Sequence, residues 1–141
     1  MKHLFELLLI LLISTSATFA QDKEARKGRK VYILQSKEKG DIAGVVNDFK
    51  EALRDWGYWK IANSEKEADL LIDINADTHR GVTWTSWGGK SVSISATVLS
   101  KDKETIWRSH TYKRSPNGSN GFNSGGAVVK TVIAEMKKEF N

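Results

Sequence analysis

The chain has 141 residues, of which 40% are hydrophobic, so it is long enough for one domain with one core. It has no cysteine, which excludes disulfide bonds, thiolate metal sites, a cysteine nucleophile and a lipidated N-terminal cysteine. With 28% charged residues and one strongly apolar run, a protein with several membrane spans is also excluded.

The first 20 residues have the pattern of an export signal. Lys2 and His3 provide a positive start, Leu4–Ile13 is an apolar run interrupted only by Glu6, and Thr18–Ala20 is a small-x-small cleavage site. A spanning helix needs roughly 20 apolar residues, so the run is too short for one. The sequence therefore predicts a signal peptide over 1–20 and a periplasmic or secreted protein, with an uncleaved anchor as the alternative.

Residues 21–30 are predicted to form a flexible basic arm ahead of a single domain over 31–141. The segment holds five lysines or arginines against two acidic residues, and its largest apolar side chain is Ala25. Such a segment cannot bury enough apolar surface to become ordered. A solvated tether and an electrostatic attachment to an anionic polymer or membrane surface are both open.

In the first half of the domain, the spacing of apolar residues changes from a period of two residues, typical of a strand, to one of 3.6 residues, typical of a helix. Val31–Ser36 predicts a strand, and apolar residues from Ile42 to Trp56 then fall on one face of a helix, with Asp41 as N-cap and Gly57 as C-terminal glycine. Two shorter elements follow, a strand over 58–62 and a helical turn over 64–67 with capping-box spacing.

The second half alternates with a period of two. The predicted elements are strands over 70–77, 91–100 and 104–113, a loop over 115–126, and a second amphipathic helix from Val128 to Phe140. In the fifth strand, Trp107 and Tyr112 have opposite parities, which leaves its facing open. The pattern indicates an α+β fold, a two-layer sandwich in which two helices cover one face of a mixed sheet of four or five strands. With all five strands the order is β-α-β-(short α)-β-β-β-α, and with four strands it is β-α-β-β-β-α. The second sheet face is expected to be wet.

A tryptophan-rich hairpin is predicted between the third and fourth strands. Its turn must contain an odd number of residues, for example 87–89, which places Trp84 opposite Val92 and leaves Trp87 at the tip. A tryptophan at a tip is costly unless it packs or binds, so Trp87, flanked by Arg80 and Lys90, is a candidate contact for a glycan ring, a peptide or a protein. The alternative is that Trp84 caps the core and Trp87 folds back.

Candidate catalytic groups are few. Asp73, Asn75, Asp77 and His79 share a parity and form a row that offers carboxylates and an imidazole. Residues two apart on a strand are roughly 7 Å apart and project in parallel, so a solvated sheet face explains the row better than a metal or acid–base site. The sequence therefore predicts no catalytic residue, metal or cofactor, and His110 is expected to be an ordinary strand residue.

A resemblance to a known group is carried by Ala68–Ile74, Ser93–Leu99 and Thr105–Trp107. Over residues 31–140 the chain resembles the small envelope domains of the curli secretion lipoprotein, of the lipoprotein activators of penicillin-binding proteins and of the TolB N-terminus. In that group an Ala-Asp pair opens a central strand and an aliphatic-Trp pair ends a hairpin. The resemblance implies a non-enzymatic role in envelope assembly through protein contacts, without the lipid tether that many of those domains carry.

The leading hypothesis is an exported, non-catalytic binding or accessory domain of the bacterial envelope, whose partner is an envelope protein or a cell-wall glycan. The predicted contact residues are Trp84, Trp87, Arg80 and Lys90. One alternative is a small secreted hydrolase or glycan-active enzyme using Asp73, Asp77 and His79, and another is a polyanion-binding protein led by the 21–30 arm. Export argues against a nucleic-acid partner, no span is expected in the mature chain, and the oligomeric state is open.

Overall fold

The computed structural model describes residues 24–34, 42–80, 90–120 and 123–141. Their elements are β1 (Lys30–Leu34), α1 (Ile42–Trp56), β2 (Lys60–Ile61), a 3-10 turn (Glu65–Glu67), β3 (Leu70–Arg80), β4 (Lys90–Ser100), β5 (Thr105–Arg108), β6 (Tyr112–Arg114), a second 3-10 turn (Gly118–Asn120) and α2 (Ser124–Phe140). The predicted end of the first strand at Ser36 and the predicted N-cap Asp41 lie outside the described residues.

The strands form one mixed sheet in the order β2-β1-β3-β4-β5, and β6 pairs with β4 beside β5. β1 is parallel to β2 and β3, whereas β4 is antiparallel to β3, β5 and β6. α1 and α2 contact each other, and they contact β3 and β4 respectively. The predicted α+β fold is confirmed.

The main core lies between the helices and the sheet. The predicted apolar face of α1 is buried, and Phe49 is fully inaccessible to solvent. Gly57 ends α1 with φ +65°, and its N–H donates to the Leu53 carbonyl at 3.1 Å, as the C-terminal glycine of a helix does. Outside α1, this core is built from β1, from the even-numbered positions of β3 and β4, from α2, and from two residues outside the helices and strands, Ala25 and Trp59. The residues from β1, β3, β4 and α2 are Val31, Ile33, Leu70, Ile72, Ile74, Val92, Ile94, Ala96, Val98, Val128, Val129, Val132, Ile133 and Met136.

The alternation predicts that the sheet face opposite the helices is wet along its whole length. In the structure, part of this face is buried. At one end, Leu71 is only 1% exposed and packs with Ala62 and Ala68. The partly buried side chains around this second cluster are Tyr32, Leu34 and Leu99. The neighbouring 3-10 turn occurs where the capping-box spacing predicts a helical turn, although Ser64 makes no side-chain cap hydrogen bond.

The predicted fifth strand is two strands, because the chain breaks its pairing with β4 around Ser109. Trp107 pairs with Val98 and Tyr112 pairs with Ile94, so the break shifts the register by one residue. The Ser109 Oγ accepts the Ala96 N–H at 2.9 Å, and the Ser109 N–H donates to the Ala96 carbonyl. Since Val98 and Ile94 both face the core, the shift brings Trp107 and Tyr112 onto the same face despite their opposite parities.

The prediction of a flexible arm up to Lys30 is wrong for residues 24–30, which contact the domain. Ala25 is 3% exposed, and its carbonyl accepts the Trp59 Nε1–H at 2.9 Å. The Gly28 N–H donates to the Tyr58 carbonyl, and the Arg29 carbonyl accepts the Lys60 N–H. The argument from side-chain burial missed these contacts because the segment is held mainly through its backbone.

The second helix begins at Ser124, inside the predicted loop over 115–126. The Asn123 side chain accepts the Gly126 N–H at 2.8 Å and caps the helix. The Ser124 Oγ donates to the Lys90 carbonyl at 2.7 Å. A Cβ on Gly125 would lie 3.3 Å from Val45 Cγ2, so this glycine permits the close approach of the two helices.

Candidate functional site

The predicted hairpin site is only partly within the described residues. Arg80 and Lys90 are directly opposite each other at the ends of β3 and β4, whereas Trp84 and Trp87 lie in 81–89, outside the described residues. The prediction that Trp84 is opposite Val92 is wrong, because Val92 pairs with Thr78 and with Arg114. The parity argument correctly paired even with even residues, but parity alone does not give the length of a connection.

The polar row on β3 is exposed, as predicted. Asp73, Asn75, Asp77 and His79 are all exposed to solvent. The His79 Nε2 is 3.4 Å from the Asp77 Oδ2, and the two side chains are 51% and 67% exposed, so solvent screens this contact. Within the described ranges, no group of three or more His, Asp or Glu side chains is arranged to hold a metal ion.

The row belongs to a surface that we call the open sheet face, defined by the odd-numbered β3 residues from 73 to 79 with their neighbours on β4, β5 and β6. The charged groups of this face differ from strand to strand. β3 presents the carboxylates of Asp73 and Asp77, and β4 presents half-buried hydroxyl groups. Beyond them, Arg108 pairs with Thr97, and its Nε donates to the Thr97 Oγ1 at 3.3 Å, while Lys113 pairs with Ser93. The face therefore carries acidic, hydroxyl and basic stripes in parallel.

A second polar group, around Glu135, joins α2 to the turn between β5 and β6. The Glu135 carboxylate accepts the His110 backbone N–H at 3.2 Å and lies 2.7 Å from the His110 Nδ1. Burial raises the pKa of Tyr112, and a hydrogen bond to Glu135 and the charge of that carboxylate act in the same direction. Sequence reasoning missed this arrangement because His110 and Glu135 are 25 positions apart and neither belongs to a motif.

Five aromatic side chains cluster at the C-terminal ends of both helices. The Trp56 and Tyr58 rings are stacked with their centroids 4.9 Å apart, and the Trp59 ring is 4.9 Å from that of Phe140. Trp107 contacts Phe140 edge-on at 5.7 Å. The helical periodicity places Trp56 and Phe140 on apolar helix faces, but the meeting of the two helix ends follows from the tertiary structure.

The Ala-Asp pair that carries the resemblance has a structural role. The Asp69 Oδ2 accepts the Lys30 N–H at 2.9 Å, and its Oδ1 is 3.4 Å from the Arg29 Nη1. The Asp69 N–H in turn donates to the Lys30 carbonyl, while Ala68 is buried. The pair therefore holds the start of β1 against the start of β3.

The fold is shared with bacterial proteins of low sequence identity. PelC from Paraburkholderia phytofirmans, which forms a dodecamer, has a TM-score of 0.57 at 16% identity over 76% of this chain and 86% of that chain. A second PelC dodecamer structure gives 0.55 at 15% identity, with 80% and 88% covered. A minor lipoprotein from Acinetobacter baumannii gives 0.50 at 10% identity, with 79% and 94% covered.

At these identities the similarity shows the fold alone. No family model and no curated protein matches the chain. Among the described residues, no helix has the length and apolar character needed to cross a membrane. The chain therefore shares its small α+β fold with a bacterial lipoprotein. Its membership of the curli, activator or TolB group stays a prediction.

Proposed function

We propose that the chain is an exported, non-catalytic accessory domain of the bacterial cell envelope, which binds a partner protein through the open sheet face. The predicted signal over 1–20 supports export, and the fold shared with a bacterial lipoprotein supports a place in the envelope. The periplasm and the cell exterior are both compatible with such a signal.

The striped charge pattern of the open sheet face carries the proposal. A partner protein can match carboxylates on one side and cations on the other, because charges of both signs occur on protein surfaces. A uniformly anionic glycan would be repelled by Asp73 and Asp77. The pattern therefore favours a protein over a polyanion as the partner of this face.

The hairpin residues extend the proposed contact surface. Residues 81–89 connect β3 to β4. The odd-numbered residues of both strands present the polar groups of the open sheet face. Trp84 and Trp87 are offered as aromatic anchors, because tryptophan is enriched among the residues that dominate binding energy. Arg80 and Lys90 flank them in sequence.

The test compares charge reversal on this face with the same reversal elsewhere. The chain from Gln21 would be cross-linked in cell envelopes as wild type, as Asp73→Lys/Asp77→Lys, and as the control Glu51→Lys/Asp55→Lys, two exposed positions on the flank of α1 that faces α2. We expect a defined partner that is lost only in the Asp73/Asp77 variant, with folding unchanged by circular dichroism. Partner recovery that is equal in all three proteins would contradict the role of the face.

Two further measurements use the same proteins. Because PelC forms dodecamers, a second copy of this chain is the first partner to test, by light scattering of the purified protein at several concentrations. The hairpin is tested by Trp87→Ala, which we expect to weaken partner recovery. Turnover of cell-wall fragments that disappears with Asp73→Ala, Asp77→Ala and His79→Ala would instead establish the hydrolase alternative.

A further inference from the structure

α1 divides its charged side chains between its two flanks. On the side of α2, Asp48, Glu51 and Asp55 line a groove between the helices. On the opposite side, Lys50 and Arg54 are four residues apart and so lie one turn apart on the same flank. Two cations are thereby placed above the edge of the sheet at β2, away from the acidic flank.

The sheet edge beneath these cations is incomplete. β2 has two residues and pairs with Lys30 and Val31. The Val31 carbonyl accepts the Ala62 N–H at 2.8 Å, and in a parallel sheet alternate residues direct their backbone groups to the same side. Ile33 therefore directs its N–H and C=O to this side, where no strand lies beside it among the described residues.

A cavity of about 240 Å³ occupies the place into which β2 would continue. β1 contributes two residues to its lining, α1 contributes the two cations, and β2 with the chain that follows it contributes the rest. The lining residues are Tyr32, Ile33, Lys50, Arg54, Ile61, Ala62 and Asn63. None of these residues is acidic, so the cavity combines strand-edge hydrogen-bonding groups with positive charge.

We propose that this cavity, the β1 edge site, binds an extended acidic peptide segment of a partner protein as an added strand in line with β2. The peptide main chain pairs with the backbone of Ile33, as in other cases of strand addition. Its carboxylates reach Lys50 and Arg54, and the exposed Asn63 amide offers a further polar contact. The site lies across β1 from β3 and does not use the open sheet face.

The combination of groups distinguishes a peptide from a simple anion. Lys50 and Arg54 alone would attract phosphate, a carboxylate or an acidic polysaccharide, since their charge is not selective. Only an extended main chain offers an N–H and a C=O at the spacing of a strand, which is what the Ile33 backbone requires. The acidic peptide therefore satisfies both halves of the site.

The first test measures affinity by calorimetry for an acetylated and amidated peptide in which Glu alternates with Val. The chain from Gln21 would be compared with Lys50→Glu/Arg54→Glu and with the matched control Lys130→Glu/Lys137→Glu on α2. We expect affinity to fall about tenfold in the first variant, because two ion pairs become repulsive, and to stay within about twofold in the second. A peptide with Lys in place of Glu should not bind.

The second test follows individual backbone amides by NMR hydrogen exchange, which does not depend on a variant folding. At saturating peptide, the Ile33 amide should exchange more slowly, whereas the Tyr32 amide, which faces β3, should not change. The peptide should also bind Asp73→Lys/Asp77→Lys as it binds wild type, which separates this site from the open sheet face.

Three results would overturn the β1 edge site. One is undiminished binding to Lys50→Glu/Arg54→Glu. Another is binding that leaves the exchange of the Ile33 amide unchanged. The third is that inorganic phosphate or alginate displaces the peptide and slows the exchange of the Ile33 amide as the peptide does, since this would identify a general anion site.

Discussion

At the scale of single residues, two glycines occupy the same position in different helices. Gly44 is the third residue of α1, and Gly126 is the third residue of α2. A Cβ on Gly44 would meet nothing within 4 Å, whereas one on Gly126 would lie 2.8 Å from the Asn123 Nδ2. The two positions therefore differ in what surrounds them and not in their place along a helix.

We predict opposite results for alanine at these glycines. Gly44→Ala should raise the free energy of unfolding by about 0.5–1 kcal/mol, because alanine loses less backbone entropy in a helix. Gly126→Ala should instead lower the free energy of unfolding by about 1 kcal/mol, because the Asn123 side chain must move away and its capping hydrogen bond is lost. Urea denaturation followed by circular dichroism measures both.

Asn123→Ala provides the control for that explanation. Combined with Asn123→Ala, the Gly126→Ala substitution should become neutral or stabilising, since no side-chain amide remains to be displaced. Additive losses in the double variant would show that the cap is not the cause.

Ser109 gives a second prediction at this scale. Its hydroxyl is the acceptor for the N–H of Ala96, a residue with no solvent exposure. Ser109→Ala should cost about 1–3 kcal/mol of unfolding free energy because it leaves a buried donor without a partner. Ser93→Ala on the same sheet, where the serine is half-buried, is the matched control and should change stability by less than about 0.5 kcal/mol. Equal effects of the two substitutions would contradict the assigned role of Ser109.

At the scale of elements, the segment over 24–29 behaves as part of the sheet edge. Its Ala25 carbonyl satisfies the indole N–H of Trp59, which is only 3% exposed. Deleting residues 21–29 should therefore lower the free energy of unfolding by about 1–3 kcal/mol, because a buried indole donor loses its partner. Thermal and urea unfolding of the shortened chain measure this loss.

Trp59→Phe in the full-length chain separates the hydrogen bond from the rest of the segment. This substitution removes the donor, so deletion of 21–29 in the Trp59→Phe background should cost less than deletion in wild type. A deletion that leaves stability unchanged would restore the flexible-arm interpretation.

Two element boundaries in the structure differ from those predicted from the sequence: the break within the predicted strand over 104–113 and the start of α2. The alternation in 104–113 indicates a strand, but a side-chain hydroxyl at Ser109 replaces a backbone partner and shifts the register. The glycines at 125 and 126 favour a loop by composition, yet Asn123 caps a helix across them. In each case the element boundary is set by a hydrogen bond between one side chain and a backbone group. Hydrophobic periodicity does not reveal such a bond.

At the scale of the whole molecule, the sheet is packed on both faces at one end and on one face elsewhere. Leu71 and Asp73 point to the same face, but Leu71 is buried under the second cluster and Asp73 is exposed. Leu71→Ala should cost about 2–5 kcal/mol of unfolding free energy, as for other buried leucines. Asp73→Ala should change it by less than about 0.5 kcal/mol.

Both values are obtained from urea denaturation of the two variants beside wild type. A loss in Leu71→Ala as small as that in Asp73→Ala would mean that the second cluster contributes little to the free energy of unfolding.

The sequence by itself determined the α+β class, the two amphipathic helices, the polar row on β3 and the pairing of even with even residues across β3 and β4. These follow from periodicity, because a residue's period along the chain sets the face on which its side chain lies. Only the tertiary structure decided the docking of residues 24–30, the break at Ser109, the Glu135 arrangement and the incomplete edge beside Ile33. Those features depend on which positions far apart in sequence come together and which do not, and a local pattern of apolar residues contains no information about this.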